Sequence, residues 1–124
     1  MSDFLTTFMD DLKTNVAGFI AVSVTEIKTG MSYCSLSVDS NLDPELASAY
    51  NLEVIKAKFA AIKVLNLAQK IDDILITLST QIHIIDVSDN GEYFVYLAVD
   101  SLKANLGMTR AILKKYSKDI ASRL

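Results

Sequence analysis

Between Asp43 and Gln69 the sequence holds one proline, at position 44, and no glycine. Asp43 is a helix-capping residue type whose carboxylate can accept from the free N–H groups of a first turn. Pro44 suits the first helical position, where its missing N–H costs nothing and its φ is already set. One helix is therefore expected from Pro44 to about Gln69. At about 100° per residue its apolar side chains fall into two stripes. The first holds Leu46, Ala47, Tyr50, Val54, Ala57, Ala61, Val64, Leu65 and Ala68, with small residues at its centre. The second, nearly opposite, holds Leu52, Ile55, Phe59 and Ile62, flanked by Lys56 and Lys63 on one side and by Asn51 and Lys58 on the other. A helix of this kind has more apolar surface than one sheet can cover.

An alanine-lined stripe lets a helix approach a sheet or another helix closely, so the first stripe is read as the core face. Leu52, Ile55, Phe59 and Ile62 are then left for a partner. Burying each is worth about 1.5–3 kcal/mol in gross transfer terms. In water they would form one apolar patch rimmed by lysines, unless another element of the chain covers them. Two copies packed antiparallel about a twofold axis give a self-complementary contact, so a homodimer is the simplest closure.

The remaining elements are legible from period and punctuation. Leu5, Phe8, Met9 and Leu12 recur at helical spacing behind Ser2 and Asp3, giving a first helix that ends near Asn15. Strands are expected over Gly18–Ile27 and Met31–Val38, with Lys28, Thr29 and Gly30 as the turn. After the long helix come strands over Asp73–Ser79, Gln81–Val87 and Glu92–Asp100. Ser79-Thr80 and Ser88-Asp89-Asn90-Gly91 join them as a meander. A final helix carries Leu106, Leu113, Tyr116 and Ile120 on one side. The order α-β-β-α-β-β-β-α predicts an α/β domain of the α+β type, a five-stranded antiparallel sheet with helices on both faces. The strand after the long helix has no proline and little charge between Ile74 and Ser79, so it would make a poor free edge. Pairing Ile74, Ile76 and Leu78 with a second copy would remove that edge.

At 124 residues and 51% hydrophobic, the chain (1–124) has material for one domain with a real core. A net charge of −3 with scattered lysines gives no electrostatic reason to expect nucleic acid. Lys114, Lys115 and Lys118 form the densest basic group, and a solvated helix face accounts for them. Cys34 is the only cysteine, which excludes an intrachain disulfide, and its strand setting favours a buried small side chain over a reactive thiol. The first residues show no basic n-region. The most apolar stretch, Ile71 to Val87, is cut by Asp72, Asp73, Ser79, Gln81 and Asp86, so no membrane span is expected. A cytoplasmic protein is the expectation.

Parts for catalysis are missing. His83 is the only histidine and has no cysteine or serine motif around it. Gly18, Gly30, Gly91 and Gly107 lie too far apart for a phosphate-cradling loop. Asp72, Asp73 and Asp86 show no cage-like spacing for a metal, and Asp39, Asp43 and Glu45 surround a helix start, where carboxylates favour the helix dipole. The expectation is a protein that is not an enzyme and needs no cofactor or metal.

The segment Asp100-Ser101-Leu102-Lys103-Ala104-Asn105-Leu106-Gly107-Met108-Thr109-Arg110 resembles the end of roadblock domains, the family of dynein light chains and bacterial Mgl-type proteins. There a strand ends in an acidic residue and the last helix opens with a similar Asn-Leu-Gly and a downstream arginine. Gly18-Phe19-Ile20-Ala21-Val22 looks like that family's first strand, and Gly30 falls at its first hairpin. Ser32-Tyr33-Cys34-Ser35 is more polar than the pattern, and Thr80 to Asp89 lacks a glycine. The resemblance implies a profilin-like sandwich and a homodimer with a ten-stranded sheet, built by pairing residues 74–79 and setting the two long helices side by side. It also implies docking of a small Ras-like GTPase on that helix pair, at Leu52, Lys56, Phe59, Ile62 and Lys63. Asn105, Leu106, Gly107 and Arg110 would be structural, with Arg110 binding a carboxylate such as Asp100. The alternatives are a light-chain subunit of a motor or polarity complex, or a small-molecule sensor with a cavity lined by Tyr33, Tyr93 and Tyr96.

Overall fold

Residues 3–124, described by a computed structural model, fold into eight elements in the expected order. They are α1 (Asp3–Asn15), β1 (Phe19–Glu26), β2 (Ser32–Ser37), α2 (Pro44–Val64), β3 (Asp73–Thr77), β4 (Gln81–Val87), β5 (Tyr93–Asp100) and α3 (Leu106–Arg123). Ser2, read as part of the first helix start, lies outside the described residues. The Asp43 carboxylate caps α2 as expected, accepting from the N–H groups of Glu45 at 3.0 Å and Leu46 at 3.3 Å.

β1, β2 and β5 lose one residue at one or both ends of their expected ranges, and α2 and β3 stop earlier still. α2 stops at Val64 rather than near Gln69, because Asn66 takes a left-handed φ of 56°. The Asn66 N–H then donates to Lys63 O at 3.1 Å and the Leu67 N–H to Ile62 O at 3.0 Å, a pairing that closes the free carbonyls of a last turn. Asparagine tolerates this conformation better than other non-glycine residues, so it ends a helix where no glycine announces the stop. β3 stops at Thr77 rather than Ser79, because Leu78 turns its N–H onto Gln81 O at 2.8 Å to close the link to β4.

The five strands form one antiparallel sheet in the order β2-β1-β5-β4-β3. The two local units, β1–β2 and β3–β4–β5, are joined by long-range pairing of β1 with β5, with Val22 opposite Leu97 and Ser23 opposite Tyr96. β5 is buried along its length, since both sheet faces are covered at that point. On one face α1 and α3 bring Phe8, Leu12, Leu113 and Ile120 onto Val22, Val24, Ile84, Val95, Leu97 and Val99. Tyr116 of α3 ties the two helices together: its ring packs edge-on against Phe8 at 4.8 Å and its hydroxyl donates to the Asp11 carboxylate.

α2 covers the other face alone, and the side it presents reverses the expectation. Leu52 is 7% and Ile55 0% exposed, packed with Ile27, Ile85, Val87, Phe94, Tyr96 and Ala98, and Phe59 joins them half-buried. Tyr50 is 72% and Val64 85% exposed, on the stripe assigned to the core. Leu52, Ile55, Phe59 and Ile62 are therefore not a free seam. The reason is depth: long side chains descending from α2 fill the space above Ala98, where alanines would leave voids. Helix and sheet also meet at two serines, Ser48 and Ser23, whose hydroxyl oxygens are 2.5 Å apart. Gly30, with φ 75°, shapes the β1–β2 turn and leaves room for Leu52, whose Cδ2 would lie 3.4 Å from a Cβ there.

α3 holds the β3–β4 border by charge. Arg110 grips Asp73 with both Nε (2.7 Å) and Nη2 (3.1 Å), so its partner is Asp73 on β3 and not Asp100. The Asp100 carboxylate instead accepts from the Leu102 N–H at 2.9 Å. One turn along α3, Lys114 donates to Asp86 at 2.9 Å and to Asp72 O at 3.1 Å. Asp86 is almost wholly buried, and that burial pushes its carboxyl above the usual range, with Lys114 opposing the shift.

Ile55→Ala should cost about 2–5 kcal/mol by the loss of transfer free energy and the cavity left behind. Tyr50→Ser should leave the circular dichroism spectrum and the cooperative unfolding of the chain intact. Urea denaturation of both variants checks which stripe holds the fold. Lys114→Met should cost about 3 kcal/mol at pH 7, because an ionised Asp86 would be left buried without its partner. A raised folded-state pKa means the carboxylate's contribution is most favourable below its unfolded value and is lost as pH rises through the folded one. The deficit of Lys114→Met should accordingly shrink between pH 7 and pH 4, as paired urea titrations would show.

Candidate docking surface

The outward stripe of α2 starts at Leu46, passes through Tyr50, Val54 and Ala57 and ends at Val64 and Leu65, and all six side chains are exposed. Beside it the sheet ends at β3, which is hydrogen-bonded to β4 alone. A groove of about 590 Å³ separates the two, lined by Val54, Ala57 and Lys58 of α2 and by Asp73 and Ile74 of β3. Ile74 and Ile76 face α2 and are half-buried, Leu75 points to the α3 side, and Leu78 is exposed at the strand's end. An apolar helix stripe, a groove and an unpaired strand edge thus share one border of the molecule. Asp73, gripped by Arg110 on the opposite face, fixes the strand that forms it.

The expected site residues are divided by this arrangement. Ile74, Ile76 and Leu78 lie on the border as read. Lys56 and Lys63 are exposed, and Lys56 is 3.9 Å from Glu53 in a solvent-facing pair of little energetic weight. Phe59 and Ile62 line a separate hollow of about 300 Å³ near the end of α2, with Ile71, Val87 and Gly91. The residues that sequence reasoning missed as surface are Tyr50, Val54, Ala57 and their neighbours, all assigned to the interior. Ser48 held the missing signal: with Leu52, Ile55 and Phe59 it completes an inward stripe at helical spacing.

Asn105 caps α3, its side-chain oxygen accepting from the Met108 N–H at 3.1 Å, and Leu106 packs half-buried against the core. Gly107 is exposed, with nothing closer than 3.8 Å to a Cβ placed there. The structural role expected of the Asn105 to Arg110 segment is therefore carried by the cap, by Leu106 and by Arg110.

Tyr33 and Tyr93 touch edge-on at 5.5 Å on the α1–α3 face, whereas Tyr96 is buried on the α2 face, so the three do not line one cavity. Burial pushes the Tyr96 phenol up to about 12 and the Cys34 thiol up to about 11, which keeps both neutral at ordinary pH. His83 lies half-buried on β4, with Nε2 2.8 Å from Gln81 Oε1 and its ring edge-on to Tyr96 at 5.2 Å. Burial holds its imidazole below the ordinary range. Among the described residues no group of three or more His, Cys, Asp or Glu is placed to hold a metal ion, and no helix is long and apolar enough to cross a membrane.

No family model and no curated protein sequence matches this chain. Solved structures do. A Roadblock/LC7 domain from Streptomyces avermitilis aligns with a TM-score of 0.79 at 9% identity, over 94% of this chain and 93% of that one. Myxococcus xanthus MglB aligns at 0.75 and 13% identity, over 94% of this chain and 80% of that one. The gliding protein MglB of Thermus thermophilus aligns at 0.75 and 16% identity, over 95% of this chain and 85% of that one. Identity this low with agreement along the whole chain speaks for the shared fold alone. With its three helices and its five antiparallel strands in the order β2-β1-β5-β4-β3, this chain has the roadblock/LC7 fold.

Proposed function

We propose that this protein is a non-catalytic homodimeric regulator or scaffold, cytoplasmic, whose paired α2 helices receive a small Ras-like GTPase. The observation that carries the dimer is the coincidence of the exposed α2 stripe with the free β3 edge on one border of the sheet. A second copy related by a twofold axis would continue the sheet across β3 and lay the two α2 helices side by side. Val54 and Ala57 would then lie near the axis, where a small side chain lets two helices approach closely, and Tyr50, Val64 and Leu65 would lie farther along the seam. Burying such side chains yields about 1.5–3 kcal/mol each. Several together offset much of the ~4–15 kcal/mol lost in association, and main-chain pairing of β3 with its copy would add to them. This seam replaces the one expected through Leu52, Ile55, Phe59 and Ile62, of which Leu52 and Ile55 are buried in the core and Phe59 and Ile62 are half-buried.

The GTPase rests on the roadblock resemblance and on the platform that two helices lying side by side would offer. A scaffold of this kind needs no catalytic side chain of its own, since it can act by positioning the groups of the nucleotide-binding partner.

Light scattering at micromolar concentration should give twice the chain mass, and Ala57→Glu should give the monomer with an unchanged circular dichroism spectrum. A monomeric wild type would sink the dimer. Small Ras-like GTPases of the same organism, loaded in turn with GDP and with a GTP analogue, should bind the wild type with a preference for one nucleotide and should bind Ala57→Glu at least tenfold more weakly. Equal binding by the variant would remove the helix pair as the platform.

A further inference from the structure

The chain's one histidine lies next to the proposed seam. His83 is on β4, one strand in from the free edge, on the face that α2 shares. In the β3–β4 ladder it stands opposite Ile76, one same-face step from Ile74, which lines the groove beside α2. α2 itself rides over β1, β2 and β5. His83 and Ile76 therefore continue the floor of the groove along the edge that a second copy would cover. We propose that His83 makes the dimer responsive to pH: the closed seam accepts the neutral imidazole and opposes the imidazolium. The proposal rests on the homodimer reading above.

Among the described residues the ring has no charged neighbour able to compensate a positive charge once water is removed. Its hydrogen-bond partners among the described residues are the Gln81 amide and the Tyr96 hydroxyl, and the phenol does not ionise near neutral pH. On β5 the flanking acid is Asp100, in register with Gln81, and its carboxylate is turned onto the Leu102 N–H. From β3 the same face presents Ile74 and Ile76, while Asp73 points to the opposite face and is held by Arg110. α2 brings a positive charge, Lys58, to the groove's rim. Burial already disfavours the charged ring in one copy, and covering the edge deepens the same effect.

The sign follows by linkage. A histidine whose pKa is lower in the dimer than in the monomer releases its proton on association, so the dimer is tightest above the monomer's imidazole pKa and weakens as pH falls through it. Each histidine can weaken association by up to about tenfold per pH unit in that window, and a dimer holds two.

Untagged protein, sized by analytical ultracentrifugation at pH 7.5 and pH 5.5 with folding checked by circular dichroism, provides the test. The expected result is a dissociation constant at least tenfold larger at pH 5.5 in the wild type, and less than a twofold difference in His83→Gln. A wild-type constant that is the same at both pH values, or a pH dependence that survives in His83→Gln, overturns the inference and leaves the dimer standing. A wild type that is monomeric at both removes the dimer reading and the inference with it. Should His83→Gln fail to fold, the His83 imidazole of the wild type can be titrated by NMR at low and high protein concentration. Its pKa must fall as the dimer forms, and a value independent of concentration overturns the inference.

Discussion

The seating of Leu52 and Ile55 against Phe94, Tyr96 and Ile85 decides most of what this molecule can do. Among the described residues α2 is the one helix on that face of the sheet, so this seating, with Ser48 against Ser23, sets both its depth and its rotation about its own axis. Once those two side chains point inward, a helix with apolar residues on two sides must send the other set outward. Packing density makes the choice sharp: the sheet offers a small residue, Ala98, in this cluster, and long side chains from α2 fill the gap above it without voids. The surface stripe is thus a direct consequence of the core, produced by the same few contacts that hold the fold together.

The opposite face does a different job. There α1 and α3 share the load, and α3 reaches the border of the sheet through two cations one turn apart. Arg110 and Lys114 meet Asp73 and Asp86, neighbours across the β3–β4 ladder. Ile74 and Ile76 fix the register of the border strand by burying one face, and a bidentate guanidinium–carboxylate pair on the other face adds a directional hold on its position. β3 has no strand beyond it to hold its line. Its position, on which any pairing with a second strand would depend, is held from below by Arg110 of α3.

Much of this was legible in the sequence. Asp43-Pro44, Asn90-Gly91 and the alternation in the strands give every element and its order, because capping and turn geometry are local and each has a residue type that suits it. The poor edge at Ile74 to Leu78 could be read for the same reason: charge and proline are visible as absences in a short window. The rotation of α2 could not. A two-striped helix has two solutions of equal periodicity, and the choice depends on which side chains the sheet places beneath it, which needs the pairing of β1 with β5 across more than seventy residues. Asn66 hid the end of the helix because asparagine is only sometimes left-handed. Arg110 found Asp73 instead of Asp100 for a related reason, since closeness in sequence says nothing about which strand a helix crosses.

The polarity of β2, a departure from the roadblock pattern when read as sequence, acquires a physical reason in the sheet. β2 and β3 are its two edges, and they are built oppositely. β2 is Ser-Tyr-Cys-Ser-Leu-Ser, and its serines are turned to local partners: Ser35 donates to Glu45 on α2, and Ser37 donates to Asp39 O. β3 is Asp-Ile-Leu-Ile-Thr, apolar through its three central residues, with Asp73 turned to Arg110 on α3. If both edges were apolar and open, a head-to-tail pairing of β2 on β3 would compete with the symmetric one, and heterologous contacts that do not close grow into filaments. A polar, locally satisfied edge on one side and an apolar edge beside an exposed helix stripe on the other leaves β3 on β3 as the favoured pairing. In the proposed dimer that pairing would use up the open edge and stop at two copies. The difference between the edges is therefore as much a part of the proposed interface as the stripe on α2, because it limits what the stripe can assemble.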